Sequence, residues 1–176
     1  VGLPEVHLGL LPGAGGTQRL PRLAGAKYAL EAMVSGRHIP AKEALSKGVV
    51  DKIAEGDLLT GAVAYARELV AQGAPLRRIR DLPVKLESPT VFDDFSKSIA
   101  RKARGFKAPW NIIKCVQAAA ELPIDEGLKR ERELFGELLT SSESAAQRYY
   151  FFAEREAAKV LDVPSDTPQR EIKTAG

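Results

Sequence analysis

Glu5 is the first residue of this chain whose setting points to chemistry. It stands in Gly2-Leu3-Pro4-Glu5-Val6, with Val6, Leu8 and Leu10 around it. A carboxylate held among apolar side chains is poorly solvated, which suits proton exchange near neutral pH by a general acid or base. The competing reading is a glutamate at the rim, or one paired with Arg19 or Arg22, because most glutamates are simply solvated.

A glycine cluster follows, Pro12-Gly13-Ala14-Gly15-Gly16-Thr17. Gly13-Ala14-Gly15 opens like a dinucleotide fingerprint, but the third glycine is misplaced, and no Lys-Ser or Lys-Thr follows to make a phosphate-binding loop. What remains is backbone able to approach a ligand or Glu5 closely, beside a helix N-terminus whose N–H groups favour negative charge. A corner that merely needs positive φ is the equal alternative.

The other chemistry-bearing residues say less. His7 and His38 are the only histidines, and neither has carboxylate or histidine neighbours at a metal-ligand spacing, so no metal is expected. Cys115 is the single cysteine, so the chain cannot close an internal disulfide or build a cysteine-based zinc site, and a reducing compartment is the simplest setting. In Ile112-Ile113-Lys114-Cys115-Val116 it reads as a small buried thiol. Trp110 after Pro109 reads as the anchor of a helix start, and Arg77-Arg78-Ile79-Arg80 as a solvated basic loop.

The elements that position these residues fit one domain. The chain has 176 residues, 44% hydrophobic and 28% charged, which excludes wholesale disorder and fibrous classes. A net charge of +3 favours an anionic ligand only mildly and is far below that of a nucleic-acid-binding tail, so no nucleic-acid partner is expected. No apolar run is long enough to span a bilayer and no secretory leader is visible, so the expectation is a soluble intracellular protein, cytoplasmic if bacterial. Val1 is not a start methionine, and a fragment of a longer chain is expected.

The opening residues read as a strand end running into a loop. A helix begins at Gly16 or Thr17 and is punctuated by Pro21 and Gly25; others cover 26–34 and 39–45, the last stopped by Gly48. Residues 49–53 read as a short strand. Asp57 is a plausible N-cap for a helix whose face carries Leu58, Leu59, Ala62, Ala66, Leu69 and Val70 up to Gly73. Residues 75–90 are irregular. Helices then cover 91–104, 109–121, 125–139 and 142–159, the third with Leu128, Phe135 and Leu138 or Leu139 on one side and Lys129-Arg130-Glu131-Arg132-Glu133 as a solvated run.

These residues carry a resemblance. Gly2-Leu3-Pro4-Glu5-Val6, then Gly9-Leu10-Leu11-Pro12-Gly13-Ala14-Gly15-Gly16-Thr17-Gln18-Arg19-Leu20-Pro21-Arg22, then Gly36-Arg37-His38-Ile39-Pro40-Ala41-Lys42-Glu43-Ala44 and Gly48-Val49-Val50-Asp51, resemble consecutive blocks of the enoyl-CoA hydratase/isomerase (crotonase) superfamily. Ser98 to Phe106 with Ala108-Pro109-Trp110, Asp125-Glu126-Gly127-Leu128 and Tyr150 to Arg155 resemble its bifunctional β-oxidation members. In those a crotonase domain is joined by a long helix to a 3-hydroxyacyl-CoA dehydrogenase.

The resemblance implies a truncated α/β crotonase fold, a mostly helical C-terminal half with a few short strands. It divides the chain into half of a crotonase core over 1–74, an irregular connection over 75–90, a helical region with a linker helix over 91–160, and a tail over 161–176 leading towards an absent dinucleotide-binding domain. It implies hydration or isomerisation of acyl-CoA thioesters in fatty-acid β-oxidation, with Glu5 as the proton-transferring carboxylate of the Pro-Glu motif. Pro4, Gly13, Gly15 and Gly16 fall to substrate binding, and Phe152 and Arg155 to the adenine and phosphates of coenzyme A. For the last pair the alternative is a helix that packs Tyr149, Phe152 and Ala153 into the core.

No cofactor is implied for this chain; NAD would belong to the absent dehydrogenase. The second glutamate and the oxyanion-hole amides of the family lie upstream of the Pro-Glu block, so the segment alone is expected to be inactive. Its partners are the acyl-CoA substrate and the missing parts of its own chain, with a homo-oligomer left open. The reading from a different class is a catalytically inactive interaction or tethering module.

Overall fold

The computed structural model describes residues 1–157 together with 159, 164 and 166–168. Among these the fold is helical. The expected strand end at the N-terminus reduces to one antiparallel bridge, Gly2 with His38, flanked by mutual bonds between Val1 and Ile39. Pro4 then fixes φ at the start of a 3-10 turn, Pro4–Leu8, in place of a strand. The expected strand at 49–53 is likewise not formed: the Val49 and Val50 amides both turn back to the Ala44 carbonyl. A β-propensive run becomes a strand only where a neighbour offers a ladder, and the described residues offer none here.

Eight α-helices carry the described structure: α1 Gly16–Ala24, α2 Ala26–Ser35, α3 Ala41–Ser46, α4 Leu58–Ala71, α5 Val91–Ile99, α6 Ala108–Glu121, α7 Ile124–Leu139 and α8 Ser142–Ala157. Pro21 does not punctuate α1. Leu20, Pro21 and Arg22 are all buried, and packing carries the helix through the proline to Gly25, whose amide closes on the Pro21 carbonyl. Asp57 caps α4 as expected, its carboxylate accepting from the Thr60 amide at 2.9 Å and the Thr60 hydroxyl at 2.5 Å.

The core lies where α1, α2, α6 and α7 meet. Leu11, Leu30, Met33, Ile112, Val116, Leu134 and Leu138 are its large fully buried side chains. Helix α5 closes over α2 and α6, and α8 lies against α7 and the Pro4–Leu8 turn. Helix α4 buries no residue: Leu58 is 73% exposed and Val70 82%. The connection 75–90 is irregular apart from a 3-10 turn, Ile79–Asp81. Its arginines do not meet water alone, since Arg77 pairs with Asp51 at 2.6 Å and Arg80 with Asp125 at 2.7 Å. The tail 161–176 lies outside the described residues except for 164 and 166–168, and no described helix is long and apolar enough to cross a membrane.

Candidate active site

Glu5 is the second residue of the Pro4–Leu8 turn. Its carbonyl accepts from the Leu10 amide at 3.1 Å, and the Gly9 amide bonds Val6 at 3.1 Å, so the turn is closed by its own backbone. The side chain is half-buried, and its Oε2 is shielded from solvent without a hydrogen-bond partner. Only Gln18 Oε1 shares that condition among the described residues. Neither arginine considered as a partner takes it up: Arg19 donates to the Ala14 carbonyl, and Arg22 to the carbonyls of Gln18 at 2.7 Å and Leu122 at 3.5 Å. A shielded acceptor left unpaired costs about 1–3 kcal/mol, so its presence calls for an explanation, of which a catalytic role is one.

Val6 and His7, beside Glu5 in the same turn, line a groove of about 650 Å³. Its other walls are Val34 from α2, Phe95 and Ile99 from α5, Phe106 from the connection after α5 and Pro109 at the start of α6, with Arg37 and Lys102 among its polar residues. Glu5 itself does not line it.

The glycine turn lies after the buried run Leu10-Leu11-Pro12. Gly15 has φ +84°, a conformation that glycine adopts without strain, and a Cβ there would fall 2.5 Å from the Arg19 guanidinium. Ala14 before it has φ +52°, the one non-glycine residue in the left-handed region among those described. Gly13 faces the Phe135 ring, and Gly16 opens α1 against Pro12 and Leu3.

The amides of this turn are already taken. Glu131, only 4% exposed, accepts from Gly15 N at 2.7 Å, Thr17 N at 3.1 Å and Thr17 Oγ1 at 2.5 Å. Gln18 extends the network, donating to Thr17 Oγ1 at 3.1 Å and the Cys115 carbonyl at 3.0 Å. The anion at the N-terminus of α1 is thus a side chain of the chain itself. A dinucleotide pyrophosphate would need those same amides, so the glycine cluster does not fit NAD.

Glu131 corrects the reading of 129–133 as a wholly solvated run, and sequence reasoning missed it. The signal was present: Ile124, Gly127, Glu131, Leu134 and Leu138 recur at helical spacing and are the buried face of α7.

Phe152 and Arg155 sit on α8. Tyr149 and Phe152 are 78% and 66% exposed, so the alternative that packs them into the core is overturned. Arg155 stacks on Phe151, its guanidinium carbon 3.3 Å from the ring centroid, and donates to the Phe151 carbonyl at 2.9 Å. Phe152 stands edge-on to Phe151 at 5.3 Å. Aromatic surface and positive charge thus lie on one exposed stretch of α8.

Pro4 and both histidines are exposed, and no cluster of histidine, cysteine, aspartate or glutamate able to hold a metal occurs among the described residues. Cys115 is fully buried, and burial pushes its thiol up to about 12. It is a core residue and no nucleophile.

Comparison with known proteins gives the family of the chain. The family model described as enoyl-CoA hydratase/isomerase matches residues 1–111. The chain is 43% identical over 184 residues to the peroxisomal bifunctional enzyme of Danio rerio, covering 99% of this chain and 25% of that one. It is 43% identical over 162 residues to the peroxisomal bifunctional enzyme of Homo sapiens, covering 90% and 22%. To the fatty acid oxidation complex subunit alpha of Shewanella sp. (strain MR-4) it is 40% identical over 183 residues, covering 99% and 25%. The chain therefore spans about a quarter of the length of the curated relatives it matches. With a match over residues 1–111, more than half its length, the chain belongs to the enoyl-CoA hydratase/isomerase family.

Proposed function

We propose that this chain is part of an enoyl-CoA hydratase/isomerase of fatty-acid β-oxidation, carried in a longer bifunctional protein, and that Glu5 is its proton-transferring carboxylate. The observation that carries the reading is the Glu5 oxygen shielded from solvent with no partner of its own. Hydration of a 2,3-double bond requires water to lose a proton as it adds to Cβ, and Cα to gain one, while the thioester oxygen bears negative charge between. A carboxylate spent in an ion pair would be poorly placed for either transfer. Glu5 has no such pair, which also weighs against a role in tethering alone.

The second carboxylate and the backbone donors for the thioester oxygen belong, in this reading, to the part of the parent that precedes Val1. Exposed Phe152 and Arg155 supply a surface for the adenine and phosphates of coenzyme A, by stacking and by charge. NAD chemistry belongs, in this reading, to a dehydrogenase part outside this segment.

The test is hydration of crotonyl-CoA by the longer parent and its Glu5→Gln variant, which keeps size and removes the proton carrier. The rate is expected to fall by about 10²–10⁴-fold. Full activity in that variant removes Glu5 from the mechanism.

A further inference from the structure

The family match ends at residue 111, yet two helices beyond it reach back onto the opening residues, α8 onto the turn that carries Glu5 and α7 onto the glycine turn that follows it. Ser144 of α8 is fully buried and donates from Oγ to the Leu8 carbonyl at 2.7 Å. Leu8 ends the turn that holds Glu5. Arg148, one helical turn further on, donates to the same Oγ at 2.7 Å, so the hydroxyl both gives and accepts a bond and its direction is fixed. The approach is close: a Cβ on Gly9 would lie 3.0 Å from Ser144 Cα.

The second contact is Glu131 of α7. All its bonds to the glycine turn cross more than 110 positions of sequence. Between the two contacts, Leu10, Leu11 and Pro12 are buried and closely held. The Glu5 turn is thus fastened at its own C-terminal end, and the chain leaving it is fastened again at Gly15 and Thr17. A five-residue 3-10 turn has poor hydrogen-bond geometry and does not hold its side chains in place unaided.

We propose that Ser144 and Glu131 are positioning residues for Glu5, so that α7 and α8 form a two-point clamp and are part of the catalytic unit. This rests on the reading of Glu5 as the proton carrier. The physical demand is strict, since a displacement of about 1 Å in a reacting group can cost about 10²-fold in rate. Ser144 touches no reacting atom; it acts through the backbone of the turn. Glu131 acts through the glycine corner and the buried run before it.

The experiment uses the longer parent with Ser144→Ala, Glu131→Gln and Glu5→Gln made separately, each shown to be fully folded by near-ultraviolet circular dichroism at the assay temperature. For Ser144→Ala and Glu131→Gln, kcat for crotonyl-CoA should fall by about 10-fold or more while KM stays within about two-fold. Amide exchange at Gly9 and Leu10 should quicken in Ser144→Ala. A merely structural role leaves kcat unchanged in a folded variant. Should Glu131→Gln fail to fold, Ser144→Ala decides alone. An unchanged kcat in Ser144→Ala, with Glu5→Gln inactive, overturns the clamp and leaves the hydratase reading standing. Full activity in Glu5→Gln overturns that reading and the clamp with it.

Discussion

Two residues outside the proposed chemistry show how their surroundings fix behaviour. Burial pushes the Cys115 thiol up to about 12, so at pH 8 only about one molecule in 10⁴ carries the thiolate. Its modification by iodoacetamide should therefore track the fraction of chain that is unfolded, and a fast reaction with the folded chain would count against the buried position. Glu43 is set the other way. Arg37 donates to both its oxygens at 2.5 and 3.0 Å, and Tyr28 adds a bond at 2.9 Å, which together hold the carboxyl at about 2 against an ordinary value near 4.5. The folded value lies below the unfolded one, so this stabilisation is complete above about pH 4.5 and is lost as the pH falls through about 2. Melting temperatures of the native chain and Glu43→Gln should differ at pH 5 and converge near pH 2. Because the pair is largely exposed, raised salt should shrink the difference.

At the scale of elements, α7 carries two glycines that should respond in opposite ways. A Cβ on Gly127 would fall 2.0 Å from Gln18 Oε1, and Gln18 is fully buried and held by Thr17 and Cys115. Gly136 has nothing within 4 Å. Alanine at either position gains up to about 1 kcal/mol of helix propensity, but at 127 the overpacking costs about 1–3 kcal/mol and wins. Gly127→Ala should lower stability and Gly136→Ala raise it, both read from urea midpoints. These effects depend on which neighbour each glycine meets, and that sets the limit of what sequence reveals here. The helices could be read from periodicity and stop signals, because α2, α6 and α7 carry their apolar faces locally. The Asp57 cap was equally local. The partners of Glu131 were not, since Gly15 and Thr17 lie more than 110 positions away and neighbouring charges at 129–133 resemble a wet face. The strand expected at 49–53 failed for a related reason: a strand is a property of a pair, and its own residues do not disclose whether a second edge is there. The position of Glu5 in a closed turn was visible only as an apolar frame broken by Pro4; that one oxygen would be left unpaired is a fact of packing.

Taken as a whole, the molecule does not stop where the family match stops. Ile112, Val116, Leu134 and Leu138 share one core with Leu11, Leu30 and Met33, so residues on either side of position 111 bury each other. Leu134→Ala should cost about 2–5 kcal/mol and depress the single transition of the entire segment, and a chain cut after residue 111 should show no cooperative melt by circular dichroism. A melt of native sharpness in the cut chain would mean that the later helices only rest on the core.

The uncovered flank of α4 bears on how material of this segment behaves in the hand. With leucines and valines facing water along its length, a concentrated preparation should stick to itself, elute broadly from a sizing column and brighten a hydrophobic dye. Lysine at positions 58 and 70 should sharpen the peak and move the melting curve little, because both side chains already lie mostly in water.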